Sequence, residues 1–425
     1  MMKLVYITVI CFLFAIPLQE INAQDDMRIM HYNLLFYGNP FACDENNNNT
    51  NLKDQNLKIL MDFIAPDILT VNEINSEESY HDRLLDQVLN TEGTSSWSRA
   101  ISTNTNWDSG IVNMLYYNHE KYELYDQEVA DESADGIGLI RVVDMYTLYQ
   151  KNSALQGDTI FFNILVAHLS AGDANMRLLQ CQAAMERIEN NGPGNYIFSG
   201  DFNIDSSNEG SYQELINYDD ANFNFFDPLN APGIWHNNSE LAFTHTQSTH
   251  LNGGGCFAGG GMDDRFDFTL INSDILNGIS GLEYVNDSYR ALGNDGDNFD
   301  QSLRISNNGD VPTNIAITLY SISDHLPIIT DYIFDTAVGI DQLNHTLHAE
   351  ISLSHNNILN VSFDNNIKST LQIFDTQGRL IIGKESVDSN VKLNLSALHP
   401  SIYILSIRDI ESGLSNNKTF YLNRP

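Results

Sequence analysis

Two short stretches carry side chains whose types and order point to one chemistry. Ser199-Gly200-Asp201-Phe202-Asn203 follows the apolar run Tyr196-Ile197-Phe198, and Ser323-Asp324-His325 precedes Leu326-Pro327-Ile328. A strand interior wants apolar side chains, so a carboxylate, amide or imidazole at its end is free to point into a cleft. The same arrangement recurs along the chain. Asn33 ends Ile29-Met30-His31-Tyr32-Asn33, Glu73 ends the run from Asp67, and His168 ends Ile164-Leu165-Val166-Ala167-His168. Asp267 sits in Arg265-Phe266-Asp267-Phe268-Thr269-Leu270-Ile271. Each residue alone has an ordinary explanation as a cap, a turn residue or a surface group. The series asks for a chemical one.

Hard oxygen donors without thiolates suit Mg²⁺, Mn²⁺ or Ca²⁺ better than a closed zinc site. Two histidines and several carboxylates can serve a water nucleophile and a leaving group. A divalent ion would neutralise charge growing on phosphoryl oxygens and orient the ester. The sequence has no nucleophile-elbow serine, no catalytic-cysteine arrangement and no HExxH. Water is therefore the expected nucleophile.

The ordered set MRIMHYNLL, PDILTVNEI, LVAHLSAG, IFSGDFNID, DDRFDFTLI and SDHLPI resembles the endonuclease/exonuclease/phosphatase superfamily, the DNase I-like fold. The resemblance spans residues 27–335, and SGDFN followed far downstream by SDH is its most specific part. It implies an α/β domain built as a four-layer α/β/β/α sandwich with the site at one edge of two facing sheets. It also implies roles. Glu73 resembles the principal metal ligand, helped by Asn33 and Asp324, with Mg²⁺ (or Mn²⁺ or Ca²⁺) as the ion. His325 resembles the general base or phosphate-polarising histidine, oriented by Asp267. Asp201 would position or deprotonate water, and Asn203 would hold a phosphoryl oxygen. His168 resembles the second histidine, which contacts phosphate or leaving group in the DNase-like and sphingomyelinase-like branches. Asp263 and Asp264 compete with Asp267, which is preferred because the apolar strand follows it directly. Arg141, in GLIRVVDMY, is either a phosphate contact or a strand arginine satisfied within the fold, and the second is the simpler reading.

Periodicity outlines the elements that must position these groups. Met27–Leu35 is extended, and Leu57, Leu60, Met61 and Ile64 repeat at helical spacing before the strand-like Asp67–Glu73. A second amphipathic helix is expected over Glu78–Leu89. Strands are expected at 110–117, 138–149, 158–169, 196–201, 265–272 and 327–334, and a helix carries Leu178, Cys181, Met185 and Ile188 on one face. Asn46–Asn49 reads as an exposed insertion, and the glycines around Cys256 read as a flexible loop near the site. After about Ala337 helical periodicity stops. Short β-type runs follow at 358–363, 370–374, 379–382, 391–395, 402–407 and 419–422, as in a small all-β, immunoglobulin-like sandwich. Thr370–Arg379, then Leu395-Ser396-Ala397-Leu398 with Ile402-Tyr403-Ile404, resembles the C-terminal sorting domain of the type IX secretion system. His355-Asn356-Asn357 stands where such domains usually open with Tyr-Pro-Asn-Pro.

Composition sets the outer limits. The 425 residues are 42% hydrophobic, enough for a large core. Met1-Met2-Lys3, the apolar Leu4–Leu18 and Ile21-Asn22-Ala23 read as a secretory signal cleaved after Ala23. The expected organisation is a signal peptide at 1–23, the catalytic domain at 24–336 and the sorting domain at 345–425. Of the remaining cysteines, Cys43 and Cys256 can pair, and Cys181 falls on the buried face of a helix. With 21 Lys plus Arg against 56 Asp plus Glu, the formal net charge is −35. Such a chain repels nucleic acid at long range, so it would bind a polyanion only locally, with cations screening the site.

The leading expectation is a secreted or cell-surface monomer without membrane insertion, exported by the type IX machinery. It would hydrolyse phosphodiesters, nucleic acid first. The alternatives are a sphingomyelinase-like phospholipid phosphodiesterase and a non-catalytic surface-binding protein of the same fold. A membrane-facing aromatic loop would favour the first alternative, and none stands out. Loss of Glu73, His168, Asp201 or His325 would favour the second, and all four are present.

Overall fold

The structure, a computed structural model, describes residues 26–39, 43–44, 46, 48–91, 93, 95–103, 110–151, 159–334, 349–353, 357–363, 368–375, 379–399, 401–410 and 415–422. The expected signal segment and the junction near 337–347 lie outside the described residues. The chain divides into two compact units, Met1–Ala337 and Val338–Pro425.

In the first unit, β1 (Asp26–Tyr37) and β2 (Ile68–Asn75) run parallel, linked by α1 (Thr50–Ile64). Asn49 caps α1 by accepting the Leu52 N–H at 3.0 Å. Ala65 ends the helix in the left-handed region (φ 49°), and Pro66 follows it. Leu57, Leu60, Met61 and Ile64 are buried, as their spacing predicts. Each contributes about 1.5–3 kcal/mol of transfer free energy. The chain continues through α2 (Glu78–Leu84), β3 (Trp97–Arg99) and β4 (Ile111–Asn118). The expected helix over Glu78–Leu89 is thus α2 followed by a single π turn at Leu85–Leu89.

A second sheet is built from β5 (Tyr122–Glu132), β6 (Gly138–Gln150), β7 (Phe161–His168) and β8 (Asn195–Asp201), with α3 (Ala174–Asn191) crossing between β7 and β8. Then come α4 (Gly210–Ile216), β9 (Phe225–Phe226), β10 (Asp267–Asn272) and α5 (Ser273–Leu276). β11 (Leu282–Tyr284), β12 (Arg290–Ala291), α6 (Thr313–Ile322) and β13 (Ile328–Phe334) return to the first sheet. The sheet orders are β11-β13-β1-β2-β4-β3, with β12 beside β13, and β5-β6-β7-β8-β10-β9.

Alternation along the strands shows the layering. On β7, Ile164 and Val166 join the core shared with the first sheet, while Leu165 and Ala167 join a second core with Cys181, Met185 and Ile188 of α3. α1 and α6 pack together and bury their apolar faces in the shared core. Two facing sheets with helices outside make the α/β/β/α arrangement that the sequence implies.

The second unit is all-β. Its sheets are β14 (Ala349–Leu353), β15 (Ile358–Phe363) and β18 (Asn390–Asn394), and β17 (Leu380–Ser386), β16 (Ser369–Asp375), β19 (Ser401–Asp409) and β20 (Ser415–Leu422), in those orders. Every pairing is antiparallel. Leu359, Val361, Leu371, Ile373, Leu405 and Ile407 alternate into one core.

Candidate active site

Strand direction decides where the chemical groups meet. β1 and β2 are parallel and β13 is antiparallel to β1, so the C-terminal ends of the first two share an edge with the start of the third. β7, β8 and β10 repeat this in the other sheet. His168 pairs in register with Asp201, and Asp201 with Asp267. Packing the sheets face to face brings the two edges together, and Asn33, Glu73, His168, Asp201, Asp267, Asp324 and His325 gather there.

The backbone bends to aim them. The β1–β2 register shifts after Asn33, and the β2–β4 register shifts between Val71 and Ile74. Leu35 (φ 45°), Phe36 (φ 52°), Glu73 (φ 59°) and Asn203 (φ 50°) all adopt left-handed conformations. Each costs on the order of 1–3 kcal/mol and persists only where the surroundings hold it.

The groups are close and almost dry. His325 and Asp267 form a 2.7 Å Nδ1–Oδ2 pair, with the ring and carboxylate both buried. Asp201 Oδ2 lies 3.7 Å from His325 Nε2, 3.5 Å from His168 Nε2, and accepts a 3.0 Å bond from Asn33 Nδ2. Glu73 Oε1 is 3.8 Å from His168 Nε2 and 3.3 Å from Asn33 Nδ2, while Glu73 Oε2 accepts the Phe36 N–H at 3.0 Å. Asp324 Oδ1 is 4.0 Å from His325 Nε2, and its Oδ2 accepts the Ala258 N–H at 2.8 Å. Asn203 donates its amide to Leu169 O at 3.1 Å and its backbone N–H to Asp201 Oδ1 at 3.1 Å.

Burial and neighbouring charge set the protonation preferences. Burial pushes the Asp201 carboxyl up to about 7, with Asp267 and Glu73 adding to the effect and His325 opposing it. Burial also raises Glu73, reinforced by Asp324, and holds His168 well below the ordinary histidine value. Burial alone would lower His325, but Asp267 and Asp201 reverse this and hold it well above that value. The two histidines are thus driven apart, one toward the neutral ring and one toward the imidazolium.

The donor set suits a divalent cation. Glu73, His168 and Asp201 offer ligand atoms within 4.8 Å of one another. Asp324 Oδ1 is buried without a hydrogen-bond partner, which is costly for a carboxylate unless a cation or substrate donor meets it. The sequence-derived metal set was Glu73, Asn33 and Asp324. Among these, Asn33 already uses its carbonyl oxygen on the Leu35 N–H at 3.0 Å, and turns its amide nitrogen toward Glu73 and Asp201.

Arg141 donates to Leu169 O at 2.8 Å, the same carbonyl that Asn203 holds, so it braces the loop after His168. Asp264 pairs instead with His236 at 2.7 Å, and Asp205, His236 and Asp264 form a second, more exposed cluster with ligand atoms within 4.8 Å.

Several supporting residues carry no signal in the sequence. Gln247 Nε2 lies 2.7 Å from His325 Nε2. Beneath the site, Asn72 accepts the Asp201 N–H at 2.9 Å and donates to Asn113 at 2.7 Å, and Asn113 donates to Asp144 at 3.0 Å. Lys53 is buried and donates to Leu34 O and Leu35 O. Asn48, read from the sequence as part of an exposed insertion, is buried because its amide donates to Leu35 O at 2.7 Å. The glycine-rich stretch is an irregular, largely exposed loop that is tied down at two points. Cys256 is joined to Cys43 by a disulfide (Cα–Cα 5.6 Å), and His250 stacks between Phe257 and Tyr320 at 4.2 and 3.8 Å.

Residues 355–419 match the family described as the secretion system C-terminal sorting domain. The C-terminal unit is a type IX sorting domain. A chain bearing this sorting domain is delivered to the cell surface or beyond. Among the described residues no helix is long and apolar enough to cross a membrane. No curated protein matches the chain. Solved structures similar to it include the human Nocturnin catalytic domain with bound sulfate, at 16% identity and a TM-score of 0.47, covering 73% of this chain and 97% of that one. An endonuclease/exonuclease/phosphatase family protein from Bacteroides thetaiotaomicron aligns at 14% identity and a TM-score of 0.46, covering 73% and 99%. A mannosyl-6-phosphatase from the same organism aligns at 12% identity and a TM-score of 0.44, covering 72% and 100%.

Proposed function

We propose that the first unit, after removal of residues 1–23, is a divalent-metal-dependent hydrolase of phosphate esters with water as nucleophile. One observation carries this reading: Asp201 Oδ2 stands between His168 Nε2 and His325 Nε2, at 3.5 and 3.7 Å, and shares with Glu73 and His168 a set of ligand atoms close enough to hold a cation. Glu73, His168 and Asp201 would hold the ion, with Asp324 close by, and Mg²⁺ is the first choice for so oxygen-rich a set. When bound, the ion supplies electrostatic stabilisation of the phosphoryl oxygens.

The residues divide the remaining work. Asp267 pairs with His325 Nδ1 and so turns Nε2 toward Gln247 and Asp201, where the reacting phosphate or water would meet it. Asp201, held by Asn33 Nδ2 and facing both histidines, would position the attacking water. Asn203 and Arg141 hold the Leu169 carbonyl, which braces the turn after His168 and would keep Asn203 within reach of a phosphoryl oxygen.

Nucleic acid is the substrate class proposed first, with the protein acting outside the cell as a monomer. A second reading, a small or lipid-borne phosphoester, is favoured by the acidic cluster of Asp205, His236 and Asp264 a few residues from the catalytic groups, which repels a long polyanion. The test is hydrolysis of DNA, RNA, sphingomyelin and a small phosphodiester by the exported protein, with Mg²⁺ or with chelator. Cleavage of the lipid or the small ester alone refutes the nuclease proposal, and activity indifferent to chelator refutes metal dependence. For the tail, deletion of 345–425 should strand the protein in the periplasm of a type IX-competent host, and normal export would refute its sorting role.

A further inference from the structure

We propose that Lys53 is a positioning residue for the ion-binding side of the site, acting on Asn33 and Glu73 through the backbone of Leu34–Phe36. The assignment rests on the hydrolase reading above. Lys53 lies in the first turn of α1, is 2% exposed, and forms no ion pair among the described residues. Its Nζ instead donates to Leu34 O at 2.5 Å and Leu35 O at 2.7 Å.

A lysine amine taken out of water costs several kcal/mol unless its protons are well used, and burial pulls this one down to about 7 against the opposing pull of Asp324 and Glu73; an aliphatic side chain would fill the same space without that cost. The use made of it here is conformational. At the end of β1 the chain turns through two consecutive left-handed residues, Leu35 and Phe36, neither of them glycine. That turn carries the Leu34 and Leu35 carbonyls to Lys53. It also sends the Leu35 N–H to Asn33 Oδ1 and the Phe36 N–H to Glu73 Oε2, each at 3.0 Å. Asn48 adds a second donor to Leu35 O at 2.7 Å. Lys53 and Asn48 therefore hold one side of a peptide segment whose other side holds Asn33 and Glu73. Glu73 itself sits at φ 59°, so its carboxylate depends on such outside anchors.

The decisive measurement is Mn²⁺ affinity by calorimetry on the full exported chain, with kcat and KM for a small phosphodiester alongside. Lys53→Met keeps the length and apolar stem but removes the donors. It is expected to fold, to bind Mn²⁺ about 10- to 100-fold more weakly, the range found when groups that orient a ligand are lost, and to lose kcat more than KM. In Lys53→Ala, added n-propylamine, the fragment removed, should restore part of the Mn²⁺ affinity and its isostere n-propanol should not, which a merely space-filling lysine would not show. Wild-type Mn²⁺ affinity in Lys53→Met overturns the assignment. If Lys53→Met does not fold, Asn48→Ala decides: weakened Mn²⁺ binding supports the anchor, and unchanged binding overturns it. A wild type that binds no Mn²⁺ overturns the hydrolase reading, and this assignment with it.

Discussion

Replacing Cys43 and Cys256 together by serine should weaken both the fold and the site. The disulfide joins positions 213 residues apart in the sequence. Applying the chain-entropy relation to a loop of that length gives about 5 kcal/mol of stabilisation through the unfolded state. With a urea dependence of about 3 kcal/mol per molar for a unit this large, the unfolding midpoint should fall by roughly 1.5–2 M. The site should respond as well. The cross-link ties the segment before Asn48, which holds Leu35 O, to the stretch whose Ala258 N–H holds Asp324 Oδ2. Both anchors serve carboxylate-bearing elements of the cluster, so half-saturation with Mg²⁺ should rise in the folded variant. The assay is urea unfolding followed by Trp fluorescence, paired with Mg²⁺ titration of activity at low urea. An unchanged midpoint, or free thiols at both positions in the native protein, would refute the reasoning.

Two further substitutions probe other links. Asp267→Asn leaves the His325 ring without the anion that holds its proton, so the histidine should lose that proton at lower pH. The alkaline limb of kcat should shift toward acid and kcat should drop about 10²–10⁴-fold, the usual range for acid–base groups, as read from pH–rate profiles. Gly200→Ala should destabilise the first unit by more than about 3 kcal/mol in thermal or urea unfolding, because a Cβ there overlaps the Ala167 carbonyl oxygen on the paired strand. A soluble variant of wild-type stability would show that β7 and β8 are not packed as described.

The parts legible in the sequence share a physical cause. A polar residue at the end of an apolar run, as at Asn33, Glu73, His168 and Asp201, or just before one, as at His325, is visible locally. Asp267 could be preferred to Asp264 for the same reason, and it is the one that meets His325. β5 was missed because Tyr122–Glu132 is an edge strand, polar on the side it shows to solvent. α6 was missed because Thr313–Ile322 is rich in β-branched residues, and its packing on α1 outweighs that propensity. Lys53, Asn48, Asn72 and Gln247 were invisible for a deeper reason. Their partners are a turned backbone and side chains from distant segments, so nothing in their own neighbourhood marks them. Asn48 in particular stands in an asparagine run that reads as solvated, and the reversal at Leu35 gives it a buried carbonyl to hold.

One metal-assisted cluster around Asp201 and His325 is proposed to break a phosphate ester. Its most direct test is the rate of hydrolysis of a small phosphodiester by chelator-stripped protein before and after Mg²⁺ is restored, for the wild type and for His325→Ala. Negligible activity without the ion, recovery on its return in the wild type, and a residual rate at least about 100-fold lower in the variant are expected. Hydrolysis that survives the chelator, or a His325→Ala protein as fast as the wild type, would contradict the proposal.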